Sequence, residues 1–118
     1  MPALNFKKEF AEQVKSGKKR QTIRALKKDG RNPRKGQTLY LYVGMRTKGC
    51  KKLGEAICKS VEQITIEENE DVIVGVTHLT KVKRYRLAIN DGFSGPYEFY
   101  EFFKKTHELP FYGLLIKW

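Results

Sequence analysis

The chain has 118 residues, 40% of them hydrophobic and 12% aromatic, enough for one hydrophobic core and too few for two comfortable domains, so residues 1–118 are read as a single domain. No apolar run approaches the roughly 20 residues of a membrane span, and the Met-Pro-Ala-Leu-Asn-Phe-Lys-Lys start lacks the apolar centre of a signal peptide. A cytoplasmic protein is therefore expected, with a monomer as the default.

The formal net charge is +11, and it is unevenly spread. Residues 1–60 hold 17 of the 24 Lys and Arg but 4 of the 13 Asp and Glu, whereas residues 61–118 hold 7 and 9, a slight acidic excess. Charge gathered in one half implies a basic surface, for which nucleic acid is the commonest polyanionic partner. A membrane surface is disfavoured, because the cations do not lie on one long amphipathic helix.

In chain order, residues 4–6 start a short strand or cap. Phe6, Phe10 and Val14 then recur at i, i+4 and i+8, which predicts a helix through Ser16 with Lys7, Lys8, Glu12 and Lys15 on its outer side. Gly17 can take positive φ and end that helix. The following Lys18-Lys19-Arg20-Gln21-Thr22-Ile23-Arg24 combines four cations with a β-branched pair, so a helix end turns into a strand. Alternation along that strand groups Arg20, Thr22 and Arg24 on one face, with Lys19 joining them from the turn. A hydroxyl among guanidiniums and an amine suits an anionic or carbonyl-bearing ligand; the competing reading is a solvated basic turn.

Residues 27–36 form a basic loop punctuated by Asp-Gly, Asn-Pro and Lys-Gly. Gln37 to Val43 alternates as a half-buried strand, with Tyr40 and Tyr42 on the outer face, able to stack on bases or to serve the sheet alone. Residues 44–54 read as a second basic loop carrying Arg46 and Lys48; its glycine spacing is not that of a phosphate-binding P-loop. A strand is expected from Glu55 to Ile66, with a bulge, then an acidic turn at 67–71. Another strand starts at Val72, with Gly75 at a bulge. Residues 81–86 read as an edge strand or a connection. A short helical turn follows and breaks at Asp91-Gly92. A helix capped by Ser94 or Gly95, with Pro96 in its first turn, presents Phe99, Phe102 and Phe103 on one side. Residues 111–118 form the last strand. Five to seven strands and two helices without β-α-β alternation fit an α+β domain on a small, mostly antiparallel barrel.

Cys50, Cys58, His78 and His107 match no metal-ligand spacing, so no metal and no cofactor are expected.

Gly17-x-Lys19-x-x-Thr22-x-Arg24 resembles the Gly-x-Lys-x-x-Thr-x-Arg signature of ASCH domains, members of the PUA-like superfamily of small β-barrels. Lys35-Gly36 before a hydrophobic strand, Ala88-x-x-Asp91-Gly92-Phe93, Glu98-Phe99 and the closing strand extend the resemblance over nearly the whole chain. It implies binding of RNA or a modified nucleoside, with Gly17, Lys18, Arg20, Arg24, Arg46, Lys48, Tyr40 and Tyr42 as candidate contacts. Some small members resemble acetylcytidine amidohydrolases, in which a lysine, a threonine and a glutamate act together. Carried over, those roles fall on Lys19, Thr22 and Asp91, an aspartate where the pattern has glutamate, with Glu98 as the fallback. Amide hydrolysis by that set is the alternative reading, since a threonine attacks an amide only when a base takes its proton. Ribonuclease activity is a third, for which neither histidine sits in a recognisable acid/base pair.

Overall fold

The computed structural model describes residues 2–118; Met1 of the expected 1–118 domain lies outside them. The chain runs β1 (Ala3–Phe6), α1 (Lys8–Ser16), β2 (Gln21–Ala25), β3 (Thr38–Val43), β4 (Lys51–Ile57), β5 (Ser60–Ile66), β6 (Val72–Val74), β7 (Thr77–His78), α2 (Lys81–Asn90), α3 (Pro96–Thr106) and β8 (Phe111–Lys117). It is an α+β fold with mostly antiparallel sheets.

One sheet has the order β1-β3-β4, with β1 parallel to β3; the other has the order β2-β8-β5-β6-β7 and is antiparallel throughout. The two sheets are not closed into a barrel. The chain passes from one sheet to the other at Cys58-Lys59, where β4 ends and β5 begins.

β8 explains why the final segment reads as almost continuously apolar. Leu114, Ile116 and Trp118 face the smaller sheet and pack with Leu4, Phe6, Leu39 and Leu41. Phe111 and Leu115 face the other way and pack with Ile23, Leu87, Phe99 and Phe103 under α2 and α3. Successive residues of a strand alternate faces, so a strand covered on both sides is apolar at both parities.

Several expectations need correction. There are three helices among the described residues, because Lys81–Asn90 is helical and not an edge strand. Lys-Val-Lys mimics period-two alternation, but the Thr80 hydroxyl accepts from the Lys83 amide at 3.3 Å and starts a helix of good formers. Only Leu87 and Ala88 of that helix are buried, so its 3.6-residue period is faint. The expected strand 55–66 is two strands, the first of which begins inside the expected loop at Lys51. Gly75 sits not at a bulge but in the tight turn between β6 and β7; the register shift falls between Leu41 and Tyr42. Among the described residues no helix is long and apolar enough to cross a membrane.

Candidate functional site

The site begins at the C-terminus of α1. Gly17 takes φ +84° and its amide closes on the Val14 carbonyl, after which the Lys19 amide donates to the Gln13 carbonyl at 3.0 Å. The left-handed residue lets the chain reverse sharply, and the second bond aims Lys19 inward. Its side chain is 2% exposed.

Lys19 Nζ donates to the Asp91 carbonyl at 2.5 Å and lies 3.1 Å from Asp91 Oδ1. It also sits 4.9 Å from the centre of the Phe10 ring. Gln21 Nε2 donates to the same Oδ1 and to the Leu87 carbonyl, each at 3.3 Å. Asp91 is the residue that ends α2, and its own amide returns to the Leu87 carbonyl. Gly92 then takes φ +98°; a Cβ there would stand 2.9 Å from Phe10 Cδ1, so the chain passes α1 only as glycine. This passage brings Phe93 against Phe10, with ring centres 5.4 Å apart and nearly perpendicular.

On the other parity of β2, Arg24 Nε donates to Thr22 Oγ1 at 3.0 Å and Arg24 Nη2 donates to the Asn5 carbonyl at 2.7 Å. The guanidinium lies 4.9 Å from the centre of the Phe6 ring. Arg24 therefore ties β2 to β1 and orients the threonine hydroxyl.

Lys19, Thr22, Arg24 and Asp91 all line one cavity of about 260 Å³, together with Phe10, Phe93 and Phe102. That is just below the roughly 300–1,000 Å³ typical of ligand pockets. A larger hollow, about 330 Å³, lies against α2 and α3 and contains none of the motif residues.

Burial pushes the Lys19 ammonium below its ordinary pKa; the Asp91 charge and hydrogen bond oppose this, and Arg24 adds to it. Burial likewise pushes the Asp91 carboxyl up, against Lys19, Gln21 and Arg24. With all three groups ionised the cluster carries one uncompensated positive charge. Arginine does not deprotonate in proteins, so Lys19 is the member that can yield a proton. The excess charge is equally relieved by an electron-rich ligand atom.

The remaining candidates lie elsewhere. Gly17 shapes the turn, while Lys18 and Arg20 are exposed and line a separate cleft. Arg20 has the parity of Thr22 and Arg24 but precedes the strand, so alternation does not hold it on their face. Tyr40, Tyr42, Arg46 and Lys48 are on β3 and the loop after it and do not line the cavity. Tyr40 is instead covered by Lys52, 5.4 Å from its ring centre. Glu98 is exposed in the first turn of α3 and does not reach the cavity, leaving Asp91 as its carboxylate. Among the described residues no three His, Cys, Asp or Glu side chains cluster as a metal site would require.

Asn5, Phe10 and His107 also line the cavity, although Phe10 read from the sequence only as core packing, His107 only as an unmatched metal ligand or acid/base candidate, and Asn5 as neither. His107 stacks on Phe103 at 5.8 Å, and burial, with Lys7 nearby, lowers its pKa. Its signal was present: it falls four residues after Phe103, continuing the apolar stripe of α3.

Comparison of the chain with protein-family models, with curated proteins and with solved structures gives no match in any of the three.

Proposed function

We propose that the chain is a PUA-like ASCH domain that binds a nucleoside, free or within RNA, with its base in the cavity of Lys19, Thr22 and Arg24. One observation carries the reading: these donors line one small cavity together with the aromatic rings of Phe10, Phe93 and Phe102. Rings present faces and edges to a planar base, while the cationic donors suit its carbonyl oxygens. The PUA-like architecture is supported by two features. The sheets share a core through β8. They are also linked at both edges of the smaller sheet, by the Arg24–Asn5 bond at β1 and by the Cys58-Lys59 corner after β4. We read them as a partly open barrel.

The test is isothermal titration of cytidine and acetylcytidine into wild type and Arg24→Gln. Saturable binding that the substitution abolishes is expected; no binding of either nucleoside by folded wild type overturns the reading.

The lowered pKa of buried Lys19 favours a second reading, amidohydrolysis. Thr22 Oγ would attack the acyl carbon of an acetylated exocyclic amine as Lys19 takes the hydroxyl proton. The C–N bond would then break with that proton passing to the leaving nitrogen, and water would hydrolyse the acyl-threonine ester. Against it, Lys19 is held by two oxygens of Asp91 and makes no hydrogen bond to Thr22. Binding is therefore preferred. Release of acetate from acetylcytidine by wild type, abolished in Thr22→Ala and in Lys19→Ala, would reverse that preference.

A further inference from the structure

A second concave feature lies at one end of the five-stranded sheet. Lys18 and Arg20 approach it ahead of β2, Lys59 and Ser60 from the start of β5, Lys117 from the end of β8, and Asn90 from the end of α2. The cleft measures about 470 Å³ and has no acidic side chain in its lining. Among the described residues none of its four cations makes an ion pair. We infer that this cleft holds the phosphodiester backbone of single-stranded RNA, one nucleoside of which occupies the cavity.

The cations ride on paired backbone. Gln21 and Ser60 both pair with Lys117 across the β2-β8-β5 ladder, the Lys59 amide donates to the Lys117 carbonyl at 2.8 Å, and the Trp118 amide donates to the Arg20 carbonyl at 3.0 Å. Neighbouring strands are about 4.8 Å apart, so the charges at β2 and β5 stand roughly 10 Å apart at the backbone. Four unpaired like charges on a rigid platform repel one another, and a regularly spaced polyanion relieves the repulsion.

The placement of the cleft favours a nucleic acid strand over an acidic peptide. The cleft and the cavity share the segment Lys18–Gln21: Lys18 and Arg20 line the first, Lys19 lines the second, and Gln21 in the cleft wall bonds to Asp91 in the cavity wall. Phosphate contacts position a strand and base contacts specify it, and here the two lie side by side.

The inference rests on the nucleoside reading of the cavity, and the experiment separates the two. A fluorescent ten-nucleotide oligocytidylate RNA is titrated into wild type, Lys59→Gln/Lys117→Gln, Lys59→Glu/Lys117→Glu, and a control, Lys104→Glu/Lys105→Glu on α3; cytidine is titrated in parallel. Charge reversal in the cleft is expected to weaken the RNA about tenfold or more at low salt, and the Gln pair to reduce the salt slope by about 1.4. Cytidine affinity should be unchanged in both, and the control should lose less than about threefold of its RNA affinity. Unchanged RNA affinity in the cleft variants, or an equal loss in the control, overturns the cleft. Wild type that binds the RNA through Lys59 and Lys117 but binds no cytidine sustains the cleft and removes the cavity reading instead.

Discussion

Lys19 and Asp91, 72 positions apart in the chain, form a buried ion pair with Nζ 3.1 Å from Oδ1 and residue exposures of 2% and 4%. The lysine leaves the turn after α1 and the aspartate ends α2, so the pair locks the two helices to the start of β2. It is also the acidic wall of the cavity. A buried pair of this kind is costly to break and cheap to replace as a unit, because breaking it strands one charge in an apolar setting.

Lys19→Met is accordingly expected to lower unfolding free energy by about 3–5 kcal/mol in urea titrations. Adding Asp91→Leu should recover most of that loss while nucleoside binding stays absent. If the double variant instead shows the sum of the two single losses, the two residues do not act as a pair.

The pH dependence follows from the direction of the Lys19 shift. Its folded pKa lies below the ordinary 10.5. Between the folded value and 10.5 the unfolded chain holds a proton that the folded chain has released, so stability rises with pH in that window. Relative to Lys19→Met/Asp91→Leu, wild type should gain stability on the alkaline side, by at most about 1.4 kcal/mol per pH unit. A flat difference up to pH 10.5 would mean that Asp91 holds the ammonium against its burial.

Arg24 makes its contacts as a fork, with Nε on Thr22 and Nη2 on Asn5. Arg24→Lys keeps the charge and loses the planar geometry. Chemical denaturation should show a cost of about 1–2 kcal/mol, and calorimetry a loss of cytidine affinity nearly as large as that of Arg24→Gln. Full retention of affinity in Arg24→Lys would reduce the residue to a point charge.

Gly92→Ala tests the approach of the Asp91 turn to α1. The added Cβ meets Phe10 in a backbone conformation, φ +98°, that alanine resists. Thermal unfolding should report a loss of about 1–3 kcal/mol, with the cavity binding more weakly as Phe10 shifts. A variant as stable as wild type would show that α1 yields without cost.

Much of this protein was legible from residue order alone. The Phe10 and Val14 spacing of α1, the stop at Gly17, the alternation of β3 and the apolar β8 are local signals, each expressed within a few residues of its cause; Phe6, read into the same helical stripe, ends β1 instead. The motif Lys19-x-x-Thr22-x-Arg24 was visible for the same reason, as was the charge gathered in the first 60 residues. What tertiary structure decided was which side chains meet. Lys81–Asn90 is a helix because a threonine cap and two buried side chains against α3 outweigh a misleading alternation. Asp91 faces Lys19, and not solvent, because α2 ends over the turn of α1. Lys18 and Arg20 part from Lys19 because one residue of a bending chain is enough to change faces. Periodicity reports the face a side chain takes relative to its near neighbours; the partner across 72 residues depends on packing the whole core, and no local pattern encodes it.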